Sequence, residues 1–125
     1  MRTDWSSACR RFLKDVAAGN VMVTIEPIVV HELTYAISRV RKDLDRKAVA
    51  DTILVLLSGA GVDEPTGLIA GAVEAWRDTP QLSFVDAYLG AKSLAEDRPV
   101  YTVNRKDFLR QGVDAPDLRE LMGTG

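Results

Sequence analysis

Three carboxylates and one amide carry the chemistry available to this chain of 125 residues: Glu32, Asp86, Asp107 and Asn104. Asp86 falls in the first turn of a helix predicted by the run SFVDAYLGA, 83–91, where the positive end of the helix dipole favours an anion. Gly90, one turn on, leaves room for another group to approach. Asn104 and Asp107 follow directly on the apolar run PVYTV, 99–103, at the C-terminal end of a predicted strand. That is the end of an open α/β sheet at which ligands bind. Glu32 shares a helix face with Val29 and Ala36, so its carboxylate is directed toward the apolar side, where a charge requires a partner. All three acids lie on elements that a right-handed α/β arrangement could bring to one end of the sheet. A carboxylate cluster there offers a place for metal ions, through which an acidic site can hold a phosphate chain.

Each position also has a structural reading. Ser83-x-x-Asp86 and Asn104-x-x-Asp107 both have capping-box spacing, in which the acids only satisfy backbone donors at helix starts. Glu32 could pair with Arg39 or Arg41. Nothing in the sequence orients His31 as a base, and it reads as a partly exposed helix residue. Trp5 and Trp76 fall on helical stripes and read as packing. Arg10, Arg11 and Lys14, with Arg39, Arg41, Lys42, Arg46 and Lys47, suit either solvated helix faces or phosphate contacts, and their spacing does not separate the two. Gly59-Ala60-Gly61 has neither a following Lys nor the spacing of a nucleotide loop.

The elements that must position these groups follow from periodicity. Trp5, Ala8, Cys9, Phe12, Leu13 and Val16 form one apolar stripe, ending at Gly19-Asn20, and predict an amphipathic helix. VMVTI, 21–25, is short and β-branched and predicts a strand buried on both faces, with Pro27 suited to the first turn of the next helix. Val29, Leu33, Ala36, Ile37 and Val40 mark that helix, Val49, Ile53, Leu56 and Leu57 another, and Leu68, Ile69, Ala72, Val73 and Trp76 a third. Ser83 opens the helix that carries Asp86; PVYTV predicts the second buried strand, and NRKDF a short turn or helix after it. Strands separated by helices imply a parallel sheet covered by helices on both faces, an α/β domain. No linker or repeat divides the chain, so a single domain over 1–125 is expected, fraying at 122–125.

Composition excludes several classes. Sixteen Lys and Arg against eighteen Asp and Glu leave a net charge of −2, so the whole surface is not a generic nucleic-acid binder. The single cysteine, Cys9, and single histidine leave no cluster for structural zinc and suit a reducing cytoplasm. No apolar run approaches the roughly 20 residues of a membrane helix, and charges interrupt the N-terminus where a signal peptide is apolar.

Taken together, VTIEPIVVHELTYAI, LSFVDAYLGAKSL and PVYTVNRKDFLRQGV resemble the PIN domain, specifically the VapC-type toxins of bacterial toxin–antitoxin pairs. The resemblance runs from about Ser7 to Asp117, and its strongest element is SFVDAYLGA followed by YTVNRKDF. It implies a three-layer α/β/α sandwich around a short parallel sheet and a metal-dependent endoribonuclease. Glu32 would match the acid in the helix after the family's second strand, and Asp86 the central metal-binding aspartate. The last acidic position falls on Asn104 or on Asp107. These oxygens would hold Mg²⁺ or Mn²⁺, activating water and stabilising charge at the scissile phosphate. RNA would be the substrate, Arg39 to Lys47 and Arg105-Lys106 its phosphate contacts, a small antitoxin the partner, and the nuclease a homodimer. Family members begin with an apolar strand bearing a further acid, whereas this sequence starts at the helix after it, so an N-terminal extension is expected. The alternative is a non-catalytic PIN-like module that binds RNA or an antitoxin.

Overall fold

The computed structural model describes the backbone of residues 2–122 and the side chains of residues 7–120. The side chain of Trp5 and all of the expected frayed end except Met122's backbone lie outside them. The chain divides into two compact units, the first ending at Gly67 and the second beginning at Leu68.

The first unit contains α1 (Arg2–Ala18), β1 (Val23–Thr24), α2 (Pro27–Val40), α3 (Arg46–Leu57) and β2 (Val62–Asp63). Gly19 ends α1 in the left-handed region, φ 82°, where only glycine sits without strain, and Asn20 N–H returns to Asp15 C=O at 2.8 Å. Pro27 opens α2, where its missing N–H costs nothing. Asp45 caps α3 by accepting from Ala48 N–H at 2.8 Å. Helices α2 and α3 pack on each other, and β1 pairs in parallel with β2 in the register Val23 to Val62 and Thr24 to Asp63. Gly61 makes that pairing possible: its N–H donates to Val16 C=O at 2.8 Å, its carbonyl accepts from Val23 N–H at 2.7 Å, and a Cβ there would overlap the Val21 and Val16 carbonyl oxygens.

The second unit contains α4 (Ile69–Asp78), α5 (Phe84–Glu96), α6 (Arg105–Arg110) and α7 (Leu118–Met122). Its core is built from Ile69, Ala72, Val73 and Trp76 on α4, Leu82 before α5, and Phe84 and Ala87 on α5, all buried. Phe84 and Tyr88 stack with ring centroids 6.3 Å apart. A smaller cluster of Phe108, Val113 and Ala115, with Val100 against it, seats α6. Asp97 closes α5 in the left-handed region, φ 52°, and the Ser93 hydroxyl donates to Arg98 C=O.

The molecule is therefore a mixed helical and parallel-strand structure, as expected of an α/β chain, with a sheet of only two short strands among the described residues. The expected helices all form close to their predicted bounds. The strands differ. VMVTI yields only Val23–Thr24, and its residues alternate between half-buried and exposed instead of being covered on both faces. Its partner is Val62–Asp63, not the run 99–103. A parallel strand exists only where a neighbour completes its ladder. Across 99–103 no strand pairing forms among the described residues: Val100 N–H reaches Asp114 C=O at 2.9 Å, and Tyr101 and Val103 are 61% and 95% exposed.

Two apolar stripes also face outward. On α1, Val16 is buried, whereas Ala8, Cys9, Phe12 and Leu13 are exposed. On α2 the covered face is Val30 and Thr34 with Leu33 and Ile37 beside them, while Val29, Ala36 and Val40 are exposed. Thr34 can sit there because its hydroxyl donates to His31 C=O at 2.6 Å, within its own helix.

Candidate functional site

Helix α5 presents Asp86 as its third residue. Ser83 caps the helix by accepting from Asp86 N–H at 3.1 Å. The reciprocal half of a capping box, a bond from the Asp86 carboxylate back to Ser83 N–H, is not made among the described residues, so the half-buried carboxylate is not consumed by capping. Ala87 and Gly90 are buried on the next turn, which holds the start of α5 against its neighbours.

Helix α6 brings the other two groups. Thr102 Oγ1 accepts from Asn104 N–H at 3.0 Å, setting the chain into α6. Asn104 caps no backbone donor; its amide donates instead to Asp107 Oδ2 at 2.8 Å, and Arg110 Nη1 lies 4.0 Å from Asp107 Oδ1. The amide therefore orients the carboxylate, and Asn104 and Asp107 stand as one hydrogen-bonded pair. Phe108, 3% exposed, anchors this short helix from below.

The main-chain carbonyls of Asp86 and Asp107 share one donor, from a residue that periodicity and spacing did not single out. The Gln111 side-chain amide donates to Asp107 C=O at 3.1 Å and to Asp86 C=O at 3.4 Å. The same carboxamide lies over Gly90, where an added Cβ would overlap it. The room expected beside Gly90 is thus used; the sequence showed the vacancy but not its occupant.

Glu32 corrects an expectation. It is exposed on α2 along with Val29 and Ala36, in the first unit, and is not a buried charge. Exposure spares the cost of burying an unpartnered carboxylate. Neither expected arginine pairs with it: Arg41 binds Asp43 through two parallel bonds, Nε–Oδ1 2.9 Å and Nη2–Oδ2 2.8 Å. That pairing raises the Arg41 pKa and lowers that of Asp43. His31 is half-buried, with its ring edge-on to Tyr35 at 5.1 Å. Trp76 is buried in the core as expected.

The basic residues divide likewise. Arg10, Arg11, Lys14, Arg39, Lys42, Lys47 and Lys106 are exposed. Arg105 is engaged within the fold, with Nε donating to Ala115 C=O at 2.7 Å and Nη1 3.8 Å from Asp117. Arg46 is half-buried, and that burial lowers its pKa.

The chain matches no family model, no curated protein and no solved structure. Function therefore has to be argued from these residues. Within either unit, no group of three or more His, Cys, Asp or Glu side chains able to hold a metal is gathered among the described residues. What the second unit offers is a pair of half-buried aspartates on the first turns of two helices, joined through Gln111. Among the described residues no helix is long and apolar enough to cross a membrane.

Proposed function

We propose that this chain is a PIN-like domain of the three-layer α/β/α kind, acting in the cytoplasm as a metal-dependent endoribonuclease of the toxin–antitoxin type. The observation that carries the reading is the one carboxamide that bridges the main-chain carbonyls of Asp86 and Asp107, at the helix starts where the resemblance puts metal-binding acids. Two carboxylates suit Mg²⁺ or Mn²⁺, since Mg²⁺ commonly takes one or two carboxylates and keeps several waters. Asp86 and Asp107 would hold the ion, and Asn104 would keep the Asp107 carboxylate oriented. When bound, the ion supplies an activated water and offsets charge at the scissile phosphate. RNA is the substrate in this reading, an antitoxin the protein partner and a homodimer the assembly.

A second reading, a non-catalytic module that binds RNA or an antitoxin, draws support from two observations. The Asn104 amide already occupies one Asp107 oxygen, and no third acid joins the pair among the described residues of its unit.

The deciding experiment is cleavage of a structured RNA by the 125-residue chain with Mn²⁺ or Mg²⁺, beside a folded Asp86→Asn variant. Cleavage that needs both the metal and Asp86 is expected. A folded chain that neither cuts RNA nor binds Mn²⁺ would overturn the nuclease reading and leave the binding module.

A further inference from the structure

Gln111 contributes no acid, yet its side chain touches the backbone of both aspartates. Its own N–H turns back to Phe108 C=O at 3.0 Å, which leaves Asp107 C=O without the donor four residues on that a continuing helix would supply. The Gln111 amide takes that place at 3.1 Å and reaches Asp86 C=O at 3.4 Å with the same nitrogen. Gly90 is buried, and its bare Cα is what lets the carboxamide lie down on α5: a Cβ would overlap the Gln111 oxygen and crowd the nitrogen. One hydrogen-bonding group thus spans the first turn of α5 and the end of α6, and one missing methyl group seats it.

We propose that Gln111 is a positioning residue: seated over Gly90, it holds the backbone of Asp86 against that of Asp107 and so sets the separation of the two carboxylates for a divalent cation. This rests on the metal-dependent reading above. A side chain that aligns ligands without touching the ion commonly governs affinity by ten- to a hundredfold, roughly, because misplaced donors must be reorganised on binding.

The test is Mn²⁺ titration of the full chain, followed by electron paramagnetic resonance, with a thermal melt of each variant. Gln111→Met keeps length and neutrality but has no N–H to donate. Gly90→Ala attacks the same interaction from the other side, and the obstacle it meets is the flexible end of a side chain, so the backbone can stay in place. Each is expected to weaken Mn²⁺ binding about tenfold. The double variant is expected to be no weaker than either single one, because both remove the same interaction.

Unchanged Mn²⁺ affinity in folded Gln111→Met and Gly90→Ala overturns the positioning role and leaves the metal reading standing. A melting temperature that falls while affinity holds assigns Gln111 to stability alone and also overturns it. Effects that multiply in the double variant overturn the shared interaction. An unsubstituted chain that binds no Mn²⁺ overturns the metal reading and the positioning role with it. Should Gly90→Ala fail to fold, Gln111→Met and Gln111→Ala carry the comparison.

Discussion

Asp117 sits between two guanidinium groups. Arg119 donates to it through Nε at 3.0 Å and Nη2 at 2.8 Å, its backbone N–H adds a bond at 2.9 Å, and Arg105 Nη1 lies 3.8 Å away. The Arg119 side-chain bonds first, then its N–H and the two positive charges, hold the Asp117 carboxyl down to about 2 from its ordinary 3.8. A depressed acid stabilises the folded state above its ordinary pKa, and that contribution is lost as pH falls through the lowered one. The chain should therefore lose stability between pH 3.8 and about 2 in part through this group. Asp117→Asn is expected to melt lower at neutral pH and to show a shallower fall over that window, measured by thermal melts across pH. A parallel fall in both proteins would refute it. At this scale the sequence was informative for the acids on helix starts. Asp86 and Asp107 could be picked out because capping and ligation both need acids there; Gln111 could not, because its role depends on a carbonyl 25 residues away.

At the scale of elements, glycines separate tolerant from intolerant places. Gly61 is buried against the backbone carbonyls of Val16 and Val21, which cannot step aside, so Gly61→Ala should cost about 1–3 kcal/mol and disrupt the β1–β2 pairing. Gly71 lies exposed on α4 with nothing near its Cα that a methyl group would meet. Gly71→Ala should stabilise the chain by up to about 1 kcal/mol, the helix-propensity difference. Chemical denaturation of both variants checks the opposite signs. Helix positions were legible because Gly19, Pro27 and Ser83 mark ends by local chemistry. Which face a helix buries was not, and α1 shows why. The stripe of Ala8, Cys9, Phe12 and Leu13 has the right period, but a period does not say whether anything covers it. The strands were harder still: VMVTI and PVYTV are both rich in β-branched residues, yet only the first finds a ladder, from Val62–Asp63, which no pattern in the sequence marked as a strand.

At the scale of the whole molecule, a net charge of −2 means that the RNA of the proposed reading would have to be held by local charge rather than by an overall field. The connector between α2 and α3 places Arg41 and Lys42 on the surface, with Arg41 tied only to Asp43 beside it. Reversing both charges, Arg41→Glu with Lys42→Glu, should weaken RNA binding and flatten its salt dependence by about one unit of slope for each phosphate that is no longer neutralised, without unfolding the chain. Binding measured over a salt series checks this; an unchanged slope would remove the connector from the interface. The run at 99–103 leaves Tyr101 and Val103 61% and 95% exposed, which has a consequence for handling the protein: it is one place where molecules would stick to one another as concentration rises. Asp97 and Arg98 on one side and Arg105, Lys106 and Asp107 on the other guard it with charge, and such flanking charges restrain aggregation of an apolar run. Near the isoelectric point of 5.4 the net repulsion between molecules vanishes, so clarity in solution should depend on working well away from that pH.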